Sequence, residues 1–218
     1  MERKVKFSTN EYYHLYSRGV DRRKIFLDKN DYDRFMSILY IMNQPDPYHF
    51  TNFLKAHKIY EIYQEERKSS LVDILAYTLM SNHFHILAYE KKENGISKFM
   101  MRLLTAYSMY FNKKYERSGP LFMHPFRSQH ISKESQYLWI FSYIHLNPVK
   151  IIQPDFKEKG IKNIKNCEKF LLSYKYSSYH EYLGHRRPES IIINTSLIPD
   201  YLLDFKSNIN SYNKYLIN

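Results

Sequence analysis

Two histidines separated by one residue, in the tripeptide His83-Phe84-His85, form the first pattern in this chain that could carry chemistry. Side chains alternate between the two faces of a β-strand, so both imidazoles would point the same way, roughly 6–7 Å apart, with Phe84 in the core. Two imidazoles on one sheet face can bind one metal ion if a third ligand comes from elsewhere. Because the chain has 10 histidines, two histidines that are merely exposed or hydrogen-bonded are the alternative.

A tyrosine and an asparagine on one predicted helix could supply a nucleophile and the third metal ligand. The segment SYIHLNPVK, residues 142–150, ends a helix whose apolar stripe runs from Tyr137 to Ile144. Tyr143 lies about 100° from that stripe, and Asn147 follows one turn later on the same flank. The amide oxygen could complete a metal site, and the hydroxyl could attack a phosphorus atom that the ion polarises. On spacing alone, Tyr143 could equally be a packing residue, because the chain contains 22 tyrosines.

The elements that must position these residues follow from hydrophobic spacing and from capping residues. Strands are predicted at 12–18, 73–80 and 84–90, an extended edge segment at 121–131, and helices after Asp28, from Gly95, and over 133–147. This order predicts an α+β domain with an antiparallel sheet that carries its helices on one face. We place the domain at residues 1–150, with 48–71 as an insertion. Residues 151–218 form a C-terminal extension that packs on the domain or is partly irregular.

A surplus of basic residues predicts a polyanionic partner. The formal net charge is +11 and the pI about 9.4, which attracts nucleic acid. Basic side chains recur between aromatic ones, as in proteins that bind single strands. The candidate phosphate contacts are Arg18, Arg22, Arg23 and Arg127, and a solvated basic surface is the alternative.

The composition limits the classes of protein to which the chain can belong. The 218 residues are 44% hydrophobic and 25% charged, as in ordinary globular proteins. No apolar run approaches the roughly 18 residues of a membrane span, so no membrane partner is expected. One cysteine, Cys167, excludes an internal disulfide and fits a reducing compartment. We expect a cytoplasmic protein without a secretory signal.

Several segments resemble one known family in order and spacing. TLMSNHFHILAYE resembles the HUH motif (histidine, bulky hydrophobe, histidine) of single-tyrosine transposases from small bacterial insertion sequences, the insertion-sequence-200-like family. YHLYSRGVDRRKIFLDKNDYDRF is similar to that family's first strand and helix. SGPLFMHPFRS, YIHLNPVK and SYKYSSYHEYLG resemble the branch related to REP-associated tyrosine transposases. Together these segments cover most of residues 12–184.

The resemblance implies a fold, an activity and a set of site residues. The fold would be RRM-like or ferredoxin-like, with the HUH histidines on the central sheet. Tyr143 would be the nucleophile, and His83, His85 and Asn147, where other members carry glutamine, would bind Mg²⁺ or Mn²⁺. Family members cleave and rejoin single-stranded DNA next to hairpins through a 5′-phosphotyrosine link that frees a 3′-OH. The resemblance also allows for a homodimer.

Two other function classes stay open at this point. The chain could be a non-catalytic or domesticated protein that binds single-stranded or hairpin nucleic acid, although its strands lack the aromatic RNP pattern of such modules. It could also be a metallohydrolase that activates water, which would require a general base. Glu90 is the only nearby acid on the strand.

Overall fold

One four-stranded antiparallel sheet organises the chain. The computed structural model describes residues 6–198. Its strands are β1 (Tyr12–Arg18), β2 (Val72–Met80), β3 (His83–Glu90) and β4 (Arg127–Ile131), in the order β2-β3-β1-β4. The strands predicted from alternation therefore form as expected, and β4 lies at the edge. Because β1 and β3 are central, side chains from both can meet on one face.

The helices cover both faces of this sheet. α1 (Lys29–Ile41) and α3 (Gly95–Lys114) pack on one face, and α4 (Glu134–Leu146) packs on the other. The α+β class is confirmed with one correction, since we expected all helices on one face. The reason lies in β3, where Phe84 is buried under α1 and α3 while Leu87 is buried on the α4 face. A strand that is apolar on both faces needs cover on both.

Capping residues fix where the two helices of the first face begin. The Asp28 side chain accepts a hydrogen bond from the Asp31 amide and caps α1, as predicted. The carboxylate of Glu90 accepts from the Ile96 amide at 2.7 Å at the start of α3. A carboxylate at a helix N-terminus satisfies an otherwise unpaired amide and interacts favourably with the helix dipole. Glu90 therefore caps α3 and lies at the end of β3 away from His83.

The region after α4 packs on the sheet. A 3-10 turn (Asn147–Ile151) is followed by the helices α5 (Phe156–Lys159), α6 (Ile164–Ser173) and α7 (Tyr179–Tyr182). The segment before α7 pairs with the outer edge of β2, through the Ser178 amide and the Tyr77 carbonyl at 3.0 Å. This contact covers a strand edge that would otherwise be open to pairing with other chains.

The remaining described segments complete the α1 side. Residues predicted as an insertion at 48–71 include a short helix, α2 (Phe50–Ala56), and a 3-10 helix (Ile59–Gln64) that packs against α1. Part of the predicted extension, residues 199–218, lies outside the described residues. Between residues 6 and 198, no helix is both long and apolar enough to cross a membrane.

Candidate active site

β3 presents both histidines of the tripeptide to the α4 face. Phe84 is fully buried on the opposite face, so His83 and His85 share one side. Their ring centroids are 5.0 Å apart and their planes nearly perpendicular. Asn82 Oδ1 lies 2.6 Å from Nδ1 of His83, which leaves Nε2 of this ring as its available ligand nitrogen. The strand thus positions two imidazoles as the alternation predicts.

A third histidine, from β1, joins them. Nε2 of His14 lies 2.8 Å from Nδ1 of His85, and both side chains are buried. This hydrogen bond leaves Nε2 of His85 as the second available ligand nitrogen. Sequence reasoning did not single out His14. Its alternation with Tyr12 and Tyr16 on a predicted strand was the available signal, but only strand pairing shows that it lies next to His85.

The end of α4 brings the predicted tyrosine against this cluster. The Tyr143 ring meets the His85 ring edge to face, with centroids 5.1 Å apart. Trp139 stacks on Tyr143 with ring centroids 4.9 Å apart, and Nζ of Lys157 from α5 lies 4.0 Å from the Tyr143 ring centroid. Neither Trp139 nor Lys157 was predicted, because both contacts depend on how α4 and α5 fold over the sheet. All these residues belong to one chain.

Burial keeps the imidazoles neutral. It lowers the pKa of His14 to about 3. It also lowers the pKa of His83 to about 4, aided by the charge of Lys150, whereas the Asn147 side chain acts in the opposite direction. The pKa of His85 is lowered well below its ordinary value by burial and by the two neighbouring histidines. Since only a neutral imidazole binds a metal ion, the site is prepared for one at neutral pH.

Burial also raises the pKa of the Tyr143 hydroxyl, while Asn147 and Lys150 act to lower it. The phenol is therefore protonated at neutral pH. Burial and the charge of Lys150 lower the pKa of Lys157 to about 8, so its ammonium group is largely charged at pH 7 and loses its charge as the pH rises past about 8. Any attack by Tyr143 requires additional positive charge near its oxygen.

Two buried atoms at the centre of the site are available as ligands for a cation. Nε2 of His85 and Oδ1 of Asn147 have no hydrogen-bond partner, although Asn147 is only 1% exposed. Buried polar atoms are almost always hydrogen-bonded in native proteins, so such pairs of atoms indicate a functional site. Imidazole nitrogen suits transition-metal ions such as Zn²⁺, whereas amide oxygen suits Mg²⁺ and Mn²⁺, and of the latter two Mn²⁺ accepts imidazole more readily. These residues fit a divalent metal ion.

The asparagine is essential to that fit. Within the described part of the chain, no group of three or more histidine, cysteine, aspartate or glutamate side chains is arranged to hold a metal ion. A site with three protein ligands would therefore need the Asn147 amide beside the two imidazoles of β3. His145, on the same helix, is engaged elsewhere, since its Nε2 lies 2.7 Å from the Ser178 hydroxyl.

The predicted phosphate contacts lie near the site to different degrees. Arg18 pairs with His83 in the sheet register, and Arg127 pairs with Tyr16, a neighbour of His85. Both arginines line a cavity of about 280 Å³ at this edge. Arg22 and Arg23 follow β1 in an exposed turn, which contacts the β2–β3 turn through the Arg22 carbonyl and Asn82.

Comparison with known proteins identifies the family. The family model described as "Transposase IS200 like" matches residues 7–147. This chain belongs to that family. The match spans His14, both histidines of β3, Tyr143 and Asn147, whereas Lys157 of this IS200-like transposase lies beyond it. Its family predicts DNA binding and DNA transposition, as the resemblance implied.

A solved structure shows the same fold. The REP-associated tyrosine transposase bound to a REP hairpin is 13% identical to the IS200-like transposase described here, with a TM-score of 0.51. The similarity covers 87% of this chain and 90% of that one, which confirms the predicted α+β fold. Among curated proteins, none matches the sequence.

Proposed function

We propose that this transposase cleaves and rejoins single-stranded DNA, with Tyr143 as the nucleophile and with a divalent metal ion bound by His83, His85 and Asn147. The single observation that carries the proposal is the position of the Tyr143 ring, edge-on to His85 with the buried Asn147 amide one turn away. A phenol and two types of metal ligand converge there from two separate elements. The arrangement is complete within one chain, and a homodimer stays a prediction.

The chain's own residues hold the nucleophile in one orientation. The Tyr143 ring stacks on Trp139 and meets His85 edge to face, which limits its rotation and would hold its hydroxyl near the scissile phosphate. Lys157 lies over the ring, so its ammonium group can also meet a phosphate oxygen of the bound strand. His14 fixes the ring of His85 through their shared hydrogen bond.

The reaction exchanges one ester bond for another. The Tyr143 oxygen attacks phosphorus, the bond from phosphorus to the 3′ oxygen breaks, and the 5′ phosphate stays on the tyrosine. The phenol loses a proton and the departing 3′ oxygen gains one from solvent. Attack by a 3′-OH reverses the exchange and rejoins strands, so no nucleotide cofactor is needed. A Mg²⁺ or Mn²⁺ ion held by His83, His85 and Asn147 would supply positive charge to the reacting phosphate.

The DNA partner is inferred from charge and from the structural relative. The net charge is +11, and Arg18 and Arg127 line a cavity beside the site. The relative of similar fold is bound to a REP hairpin. We therefore infer that the substrate is single-stranded DNA next to a hairpin, with Arg18, Arg22, Arg23 and Arg127 as phosphate contacts.

The test is a covalent trapping assay. Labelled single-stranded hairpin DNA is incubated with the protein and Mn²⁺ or Mg²⁺, and a DNA–protein adduct that survives boiling in SDS is sought. We expect the wild type to form the adduct and Tyr143→Phe to lose it completely while hairpin binding persists. His83→Ala should lose it as well, with loss of Mn²⁺ binding.

Tyr89→Phe is the matched control, because Tyr89 lies on β3 and its hydroxyl bonds Asn10 outside the site. This variant should form the adduct like the wild type. Undiminished cleavage in Tyr143→Phe would identify a hydrolase that activates water. Hairpin binding without cleavage by the wild type under either metal would instead identify a domesticated binding protein.

A further inference from the structure

A groove of about 730 Å³ lies between α1, α2 and α3, on the face of the sheet opposite Tyr143. None of the residues that line it is acidic, and four are basic: Arg34, His49, Lys113 and Lys114. Its walls also carry apolar surface, including Met109, which is 69% exposed. The groove therefore combines positive charge with surfaces on which flat rings could lie.

Arg34, which lines this groove, is half-buried and has no counter-charge among residues 6–198. Its guanidinium carbon lies 4.2 Å from the Phe50 ring centroid and 5.0 Å from that of Tyr110. Its Nε atom is buried and has no hydrogen-bond partner, and it forms no ion pair with any residue between 6 and 198. Burying a cation in this way is costly unless an anion meets it.

Other partly buried arginines of this protein show the contrast. Arg67 also stacks on an aromatic ring, but it donates hydrogen bonds to the carbonyls of Tyr40 and Asn43. Arg187 forms an ion pair with Glu181 at 2.6 Å. Arg67 and Arg187 therefore have polar partners within the protein. Arg34 instead packs against two aromatic rings and faces the groove.

The nearest carboxylate of α1 is already engaged. Asp31, one turn before Arg34, accepts hydrogen bonds from Lys114, Tyr110 and Tyr115, and also from the Leu27 amide. Its charge is thus compensated by Lys114 and by these hydrogen bonds. An anion that binds Arg34 has to come from another molecule.

We propose that this groove binds a phosphodiester of the DNA strand, at a position away from the cut site, with Arg34 as the phosphate ligand. A guanidinium presents a rigid pair of N–H donors that matches two phosphate oxygens. Aromatic and apolar walls beside it suit a base or a sugar. The inference rests on the proposed DNA substrate, and it means that the strand contacts both faces of the sheet.

The test measures DNA binding without chemistry. Fluorescence anisotropy of a labelled hairpin with a single-stranded flank is recorded at several salt concentrations, with divalent metal chelated. We expect Arg34→Met to weaken binding about 10-fold and to reduce the salt dependence by about one released counterion. The Tm of Arg34→Met should equal or exceed that of the wild type, because a partly buried charge without an ion pair is removed.

Lys98→Met is the matched control. Lys98 is exposed on the same helix as Tyr110, about 18 Å along its axis at 1.5 Å per residue, and its loss changes net charge equally. Its affinity should stay within about twofold of the wild type. Equal affinities for Arg34→Met and Lys98→Met would overturn the proposal. So would Arg34-dependent binding of free deoxyadenosine monophosphate with unchanged DNA affinity, which would identify a small-nucleotide site.

The two proposals fail separately. The anisotropy measurement requires no covalent step, so it remains valid if Tyr143 is not the nucleophile. Conversely, adduct formation by the wild type would support the role of Tyr143 even if Arg34 made no contact with DNA.

Discussion

Two asparagines on opposite faces of the sheet are buried to the same extent and serve different purposes. Asn43, after α1, and Asn147, after α4, are each 1% exposed. The Asn43 side chain donates to the Val72 carbonyl at 2.9 Å and accepts from the Leu71 and Val72 amides. Oδ1 of Asn147 has no hydrogen-bond partner. Burying an amide oxygen without a partner costs stability, so Asn43 has a structural role, and the open oxygen of Asn147 is available for the metal ion proposed above.

Some other polar groups on the two faces differ in the same way. On the α1 face, Asp31 and Tyr107 have their polar atoms satisfied by neighbouring donors and by the Ile25 carbonyl. On the α4 face, His14 and His85 each keep one buried ring nitrogen without a partner. Unpaired buried atoms are therefore found beside the proposed active site, and the α1 side has its own in Nε of Arg34, at the proposed DNA-binding groove, and Oε1 of Glu90. The following predictions test this contrast, beginning with the largest effect.

The largest effect is expected from Asn147→Ala. Removing the amide oxygen should slow adduct formation about 100-fold through weaker metal binding, while the free energy of unfolding changes by less than about 1 kcal/mol. The rate is measured by adduct trapping and the stability by urea unfolding in chelator. Asn147→Gln, the longer amide that other family members carry, should restore part of the rate. A large loss of stability in Asn147→Ala would show that this residue is structural.

Asn43→Ala should show the reverse behaviour. It leaves two buried amides and one carbonyl of residues 71–72 without partners, so unfolding should become easier by about 2 kcal/mol. Adduct formation per folded molecule should match the wild type. Urea unfolding and trapping at a temperature where both proteins are folded provide the two readouts. A specific loss of adduct formation would contradict the assignment of Asn43 to a structural role alone.

A smaller effect is expected from His14→Phe. The ring is kept but the hydrogen bond to His85 is lost, so the His85 imidazole is less well oriented, and Mn²⁺ affinity should fall about 10-fold. Calorimetric titration with Mn²⁺ measures this without any reaction. His130→Phe is the control, because His130 is exposed on β4 and bonds Glu11. Equal Mn²⁺ affinities in the two variants would show that His14 does not contribute to metal binding.

The smallest effect concerns acid stability. The pKa of His14 is about 3 in the folded protein, below the value of about 6.5 of an unfolded chain. As the pH falls below about 6.5, His14 binds a proton in the unfolded chain but not in the folded protein. Stability should therefore decrease with falling pH, by on the order of 1 kcal/mol per pH unit from this residue.

The urea midpoint between pH 7 and pH 4.5, measured in chelator, tests this expectation. His14→Phe should show a shallower decrease than the wild type, because one such histidine is gone. His57→Phe, on the exposed surface near α2, controls for the substitution itself. Identical slopes for wild type and His14→Phe would mean that His14 can be protonated in the folded protein.

Local patterns in the sequence determined much of this molecule. Alternation predicted β1, β2 and β3, and helical spacing predicted α1, α3 and α4, to within a few residues. The cap at Asp28 and the shared face of His83 and His85 also followed from spacing. These features depend on neighbours in the chain, whose geometry is set by the 2-residue and 3.6-residue periods. The order of the motifs was enough to indicate the family.

Tertiary structure alone decided which elements meet. Periodicity shows which residues share a face, but not which element covers that face, so the position of α4 opposite α1 and α3 could not be predicted. For the same reason the sequence did not place His14 beside His85, Lys157 over Tyr143, or Arg34 between two rings. Each of these contacts joins residues far apart in the chain, and it is fixed by strand register and by packing that a local pattern does not encode.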